Sequence, residues 1–300
     1  MAARKVIIDT DPAIGSAFRD VDDALAMLYL LALPEEFEVV GVTPVFGNAP
    51  LAKTTLKAEE VLRVAGRPDL PVHPGASSKR ELGKPSAASE FLAATVSENP
   101  GAVTVLAIGP LTNVATAGLV HDGFYGQVES IVVMGGALEA GYGLPFVSPL
   151  EFNFMKDIAA ARALLDAPCR KVIVTMDVCT QVVFTRRELD AILSMSNPAA
   201  GYLSRYVKPW LRLNALAPTP WKGGFVPWDV IAAVYLRRPG LFEEAEVGLR
   251  LRPGRFMTGG LERLDGAARP CVLPETVRAP ELLDEFLDAI YSYRTATTGV

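Results

Sequence analysis

Five aspartates, Asp9, Asp11, Asp20, Asp22 and Asp23, fall within the first twenty-three residues of the chain. Carboxylates this dense repel one another unless something positive joins them, and a hard divalent cation with oxygen ligands, calcium or magnesium, is the plainest partner. Helix capping is the competing account: Asp20 or Asp22 can serve as an N-cap, and the helix dipole favours acids in a first turn. Capping accounts for one or two of these acids. It accounts poorly for Asp9 and Asp11, which stand at the end of the apolar run Val6-Ile7-Ile8.

The elements that must hold these acids follow from the pattern around them. Val6 to Ile8 reads as a buried parallel strand, a loop containing Pro12 and Gly15 follows, and Ala24 to Leu33 reads as an apolar helix. In open α/β sheets ligands sit at the carboxyl ends of strands, which is where Asp9 and Asp11 fall. Further strands are predicted at Phe37 to Phe46, Val103 to Ile108, Glu129 to Met134 and Lys171 to Met176, with short strands between Glu246 and Arg278. Helices are predicted at Ala49 to Ala65, Ser86 to Ser97, Lys156 to Ala167, from Thr185 with Glu188 in capping-box register, over Ala199 to Leu213 with an interruption at Pro209, from Pro227 to Leu236, and from Pro280 to Tyr293. Asn214 to Val226 has turn chemistry, and Trp221, Lys222 and Phe225 there suggest a mobile flap. The alternation predicts an α/β fold with a mostly parallel central sheet and helices on both faces. No linker or repeat divides the chain, so residues 1–300 are expected to form a single domain.

Composition excludes several classes. Half of the 300 residues are hydrophobic and 21% are charged, which suits a large core and argues against disorder. A net charge of −5 without a basic stripe argues against nucleic acid as the main partner. The longest apolar run, Ala24 to Leu33, is too short to span a bilayer. Cys169, Cys179 and Cys271 are widely spaced and odd in number, which fits a reducing cytoplasm better than a disulfide framework or a thiolate zinc site. The first strand begins within a few residues of Met1, leaving no room for a signal peptide, and a cytoplasmic location is expected. Only His73 and His121 are present, so histidine chemistry is severely limited; His73, between Val72 and Pro74, reads as structural.

In this order, the pieces resemble the inosine-uridine preferring nucleoside hydrolase family: Asp9-Thr-Asp-Pro, Asp22-Asp-Ala-Leu-Ala26, Val45-Phe-Gly-Asn48, Ile108-Gly-Pro-Leu-Thr-Asn113, Met134-Gly-Gly136, Glu151-Phe-Asn153 and Trp228-Asp229. The resemblance runs from about Lys5 to Leu236. It implies a nucleoside hydrolase fold with a Rossmann-like core and a Ca2+ ion held by Asp11, Asp23, the Thr112 carbonyl and Asp229. It further implies that Asp11 acts as general base on a water and that Asp22, Asn48, Glu151 and Asn153 meet ribose hydroxyls. Asp9 would support the site from behind. The implied reaction is hydrolysis of a ribonucleoside to free base and ribose through an oxocarbenium-like ribose, with inversion at C1′. A homodimer or homotetramer is implied as well.

Three departures accompany the resemblance. Asp11 and Asp22 are eleven positions apart (22 − 11), whereas the common family pattern is a compact DPGxDD; residues 13–19 look inserted, and either Asp20 or Asp22 is left as the ribose partner. Trp228 stands where many members carry a histidine that assists departure of the base; tryptophan can stack on a base but cannot protonate it. The usual Asn before the Glu-Phe-Asn piece is absent, with Leu144-Pro145 near its place. Asp229 and Thr112-Asn113 also have plain helix-terminus readings, and Trp228 a plain core one. Tyr202, Tyr206 and Trp221 are candidate base contacts or packing residues. Two rival functions remain: a catalytically weak ribose- or nucleoside-binding protein on the same scaffold, and a magnesium phosphatase using Asp9 as nucleophile. The second lacks a later GDxxxD arrangement.

Overall fold

The computed structural model describes residues 3–16, 20–139, 150–216, 221, 223–253 and 258–293. In chain order the first half holds β1 (Arg4–Thr10), α1 (Asp22–Leu31), β2 (Phe37–Pro44), α2 (Leu51–Val64), α3 (Ala87–Glu98), β3 (Val103–Ala107), α4 (Thr112–Val120), α5 (Phe124–Gln127) and β4 (Ser130–Met134). The second half holds α6 (Phe152–Lys156), α7 (Ile158–Leu165), β5 (Lys171–Val174), α8 (Met176–Cys179), α9 (Arg186–Leu193), α10 (Pro198–Leu216) and α11 (Trp228–Arg237). It ends with β6 (Phe242–Leu251), β7 (Leu261–Leu264), β8 (Cys271–Val277) and α12 (Ala279–Tyr291).

The strands form one eight-stranded sheet in the order β2-β1-β3-β4-β5-β8-β6-β7. The first six are parallel neighbours, and β6 pairs antiparallel with both β8 and β7. The sequence alternation is visible in which core each residue enters. Val6 and Ile8 face one core while Ile7 faces the other, and Val132 and Met134 oppose Ile131 and Val133 in the same way. Side chains of successive strand residues point to opposite faces, so both faces must be covered. Helices α1, α2 and α9 to α12 cover the first face; α3, α4 and α7 cover the second. Every residue of α1 is buried, because this helix is wedged between the sheet and α11.

The order 2-1-3 at one end of the sheet places a topological switch between β1 and β3, where chain connections leave in opposite directions and open a crevice. The crevice lies at the ends of β1 and β3, beside Asp9 to Asp11 and Ile108 to Thr112. Two elements depart from expectation. The strand at β5 stops at Val174, and Met176 to Cys179 turn helical, with the Asp177 carboxylate accepting from the backbone N–H groups of Leu138 and Glu139 at 2.8 Å each. Helix α10 runs through Pro209 instead of breaking there. Proline removes the donor to the Arg205 carbonyl, but Ala199, Ala200, Leu203, Val207 and Leu211 are all buried, and that apolar face holds the helix together. The capping box at Thr185 and Glu188 is present as expected. Among the described residues no helix is long and apolar enough to cross a membrane.

Candidate functional site

Asp9, Thr10 and Asp11 leave the end of β1 fully buried, and each side chain has a defined neighbour. Asp9 Oδ2 accepts from Thr43 Oγ1 at 2.7 Å and from Asn113 Nδ2 at 2.8 Å, while its other oxygen has no partner. Asn113 in turn accepts from the Ala76 N–H at 2.8 Å, so Asp9 ties three strand-end segments together behind the site. Burial pushes its pKa up to about 7 against the lowering effect of those two donors.

Asp11 is held by Asn48, whose backbone N–H donates to Asp11 Oδ2 at 2.5 Å; Asn48 Nδ2 stands 3.5 Å from Asp11 Oδ1 and 3.3 Å from Asp23 Oδ2. Asp23 Oδ1 also accepts from Thr10 Oγ1 at 2.5 Å and from the Asp11 N–H at 3.0 Å. The approach of Asp11 requires glycine beside it. A Cβ on Gly47 would lie 1.9 Å from Asp11 Oδ2, and one on Gly109 3.1 Å from Asp11 Oδ1. Both glycines fall in the pieces that carry the family resemblance, but only the folded positions reveal that each makes room for Asp11.

Asp22, Asp23 and Asp229 each offer an oxygen within 4.8 Å of the others, and all three are buried. These are the acids brought closest together, with Asp11 beside them across Asn48. Asp229 arrives from the first turn of α11, and its N–H donates to Asp22 Oδ2 at 3.4 Å. Desolvation first, and then mutual repulsion, raises the pKa values of Asp11, Asp22 and Asp229 well above the carboxylate range; Asp23, with several donors, rises to about 6. Capping does not explain the cluster: α1 is capped by Val21 and α11 by Pro227, neither through a side chain. A crowded set of oxygen donors without histidine or thiolate fits a hard cation. Cys179 is adjacent, but its buried thiol points at the Trp228 carbonyl, 3.9 Å away.

Thr112 is buried at the start of α4 and donates its hydroxyl to Asp157 Oδ2 at 2.6 Å; Asp157 also caps α7. Glu151 caps α6, accepting from the N–H groups of Asn153 and Phe154 at 2.8 Å each. Asn153 Nδ2 donates to the carbonyls of Ile108 and Met134 at 3.2 and 3.0 Å, which leaves its acceptor oxygen for other partners.

Some of these groups line a cavity of about 190 Å³ that is open to solvent; Asp9, Asp11, Asp23 and Thr112 stand behind the lining residues and are not among them. Its acidic and amide lining is Asp20, Asp22, Asp229, Asn48, Glu151 and Asn153. Ile108, Met134, Met176, Phe152, Trp210 and Trp228 supply the apolar part. Asp20 and Asp22 both line it and share a hydrogen bond. The described part of the lengthened loop packs inward: Ala13 and Ile14 are buried, and a Cβ on Gly15, with φ +78°, would lie 2.5 Å from the Tyr206 ring. Residues 17–19, Lys222 and Leu144-Pro145 lie outside the described residues.

The aromatic expectations separate. Trp228 lines the cavity and packs edge-on against the buried Trp221, with centroids 5.7 Å apart. Tyr202 and Tyr206 contact each other edge-on at 5.1 Å and do not line the cavity. Phe225 does not belong to a flap: it is buried, stacks on Phe184 at 4.9 Å and forms a backbone bridge with it. His73 stacks on Phe91 at 4.0 Å, a structural role. Trp210 was missed because helical periodicity alone does not distinguish a cavity-lining tryptophan from a core one.

Comparison with known proteins agrees with the order of these pieces along the chain. Residues 6–266 match the profile of "Inosine-uridine preferring nucleoside hydrolase". The chain is 32% identical to a probable uridine nucleosidase 2 of Oryza sativa subsp. japonica, over 69% of this chain and 67% of that one. It is 30% identical to a probable uridine nucleosidase 2 of Arabidopsis thaliana, over 96% and 97%. A solved plant nucleoside hydrolase superposes with a TM-score of 0.85 at 25% identity, covering 96% of this chain and 99% of that one. With its acids gathered at the β1/β3 crevice and its sequence matched over residues 6–266, the chain belongs to the inosine-uridine preferring nucleoside hydrolase family.

Proposed function

We propose that this protein is a calcium-dependent ribonucleoside hydrolase that releases a nucleobase and ribose. The observation that carries the reading is the convergence of Asp22, Asp23 and Asp229, with Asp11 joined to Asp23 through Asn48, at a cavity lined by Asp22, Asp229, Asn48, Glu151 and Asn153. The metal ligands the resemblance implies are Asp11, Asp23, Asp229 and the Thr112 carbonyl; of these Asp23 and Asp229 lie in the acid cluster, and Asp22 is close enough to both to share the charge. Bound there, calcium would offset the clustered negative charge, hold ribose hydroxyls and acidify the attacking water.

The chain's own groups do the rest. Asp11 takes the proton from water, its carboxylate fixed by the Asn48 N–H. Asp9 anchors the strand ends behind it. Asp22, Glu151 and the Asn153 oxygen accept from ribose hydroxyls, and Asn48 adds a donor amide; together they orient the sugar so that C1′ meets the water. The carboxylates favour positive charge developing on the ribose ring as the glycosidic bond lengthens. Trp228 offers a flat apolar face to the base and no proton.

Hydrolysis of p-nitrophenyl β-ribofuranoside, inosine and uridine, each with calcium and after chelation, tests the reading. The nitrophenolate leaves without acid help, so calcium-dependent hydrolysis of it is the expected minimum. The replacement of histidine by Trp228 favours one alternative, a nucleoside-binding protein with little catalysis. Tight nucleoside binding by calorimetry with no hydrolysis of any of the three would establish that alternative instead.

A further inference from the structure

The family reading leaves the leaving group without help, because no histidine stands beside Asp229. Departure of the base breaks the C1′–N bond with the electron pair going to the base. A water oxygen bonds to C1′, and that water's proton goes to Asp11. The departing base then carries negative charge, spread over its ring nitrogens and carbonyl oxygens, until solvent supplies a proton. Any hydrogen-bond donor facing the base would stabilise that charge before the proton arrives.

The side-chain N–H donors lining the cavity belong to two amides, Asn48 and Asn153, and two indoles, Trp210 and Trp228. Asn153 Nδ2 is engaged by two backbone carbonyls, and Asn48 Nδ2 lies between Asp11 and Asp23. Trp210 also lines the cavity, on the α10 side with Trp228. Its Nε1 is buried and has no hydrogen-bond partner among the described residues. A buried N–H left unpaired is destabilising, so it calls for an explanation. Trp210 lies one helical turn beyond Tyr206, the ring on which the inserted loop rests at Gly15.

We propose, building on the hydrolase reading above, that Trp210 contacts the departing nucleobase and donates its indole N–H to an acceptor atom of that base. An indole N–H does not ionise in this range, so the contact is a hydrogen bond and not a proton transfer. It selects leaving groups that carry an acceptor beside the scissile nitrogen, as pyrimidines and purines do. It matters less to an activated phenolate.

Trp210→Phe keeps a ring and removes the donor. The measurement is kcat on uridine and inosine, each divided by kcat on p-nitrophenyl β-ribofuranoside, for wild type and variant with calcium present. A hydrogen bond to a developing anion predicts that this ratio falls by about 10-fold or more. Equal loss on all three substrates, or an effect confined to KM, overturns the proposal, since packing or uniform binding would then be the role. A spectroscopic readout stands apart from turnover. The chain has three tryptophans, so the indole N–H resonance lost in Trp210→Phe is directly assignable in 15N-labelled protein. Uracil or hypoxanthine with ribose and calcium should move that resonance downfield, and an unmoved resonance overturns the contact. Wild type inactive on all three substrates would overturn the hydrolase reading itself, and the resonance shift would still decide the Trp210 contact.

Discussion

The acidic floor of the cavity and its aromatic wall are built on different principles. On the floor most acids accept several hydrogen bonds: Asp23 from Thr10, Asp11 and Asn48, Asp9 through one oxygen from Thr43 and Asn113, Glu151 from its own helix. The wall stands on α10 and the start of α11, with Trp210 and Trp228 meeting the cavity largely by packing and with one indole N–H unpaired. The floor spends its hydrogen bonds on fixing charge, as a site for a cation and a polarised sugar requires. The wall keeps its polar capacity for a ligand. On the proposed hydrolase reading, the more heavily hydrogen-bonded floor would serve the step common to all nucleosides, and the wall would meet the base, where substrates differ.

Removing the base from the floor should have the largest effect. Asp11→Ala is expected to lower kcat by about 1,000-fold or more on all three substrates alike, general-base help being worth about 100- to 10,000-fold. A variant with undiminished kcat would take Asp11 out of that role. Gly47→Ala leaves Asp11 in the sequence but pushes a methyl against its carboxylate, 1.9 Å from Oδ2 before any relaxation. Displacing a reacting group by about 1 Å costs on the order of 100-fold, and that is the expected loss in kcat. Retained activity would show that the floor yields more than its contacts suggest.

Protons and calcium should compete for the floor. In the metal-free fold burial raises Asp23 to about 6 and Asp9 and Asp20 to about 7. The folded state therefore holds protons that the unfolded chain gives up near pH 4. The contribution of these acids to stability is present at low pH and is lost as pH rises through about 6 to 7. The melting temperature of chelated protein should fall between pH 5 and pH 8, and calcium should raise it by several degrees at pH 8 and by less at pH 5. A calcium shift larger at pH 5 would argue that the site is not these carboxylates.

The smallest effect is expected at the wall. Trp228→Ala should raise KM for inosine or uridine by about 10-fold, in line with about 1–3 kcal/mol for stacking a base on an aromatic ring, with a weaker effect on p-nitrophenyl β-ribofuranoside. If Trp228→Ala instead abolished turnover of all three, wall and floor would be one unit and the contrast would fail.

The sequence by itself determined the strands and most of the acids. Val6 to Ile8, Val103 to Ala107 and Ser130 to Met134 are apolar runs that only a two-sided parallel sheet can bury, and Asp9 and Asp11 sit at a strand end in any such sheet. The pieces in their order carried the family. Tertiary structure decided the rest, because proximity between distant segments is not a local property. It brought Asp229 to Asp22 and Asp23 across more than two hundred residues, and it turned the inserted loop inward at Gly15. It made Gly47 necessary through an aspartate thirty-six positions away (47 − 11). It carried α10 through Pro209, where a local rule ends a helix, because a buried apolar face outweighs one missing hydrogen bond. It also set Trp210 where it both packs against the core and lines the cavity, a distinction helical periodicity cannot express, since core and cavity lie on the same apolar side of the helix.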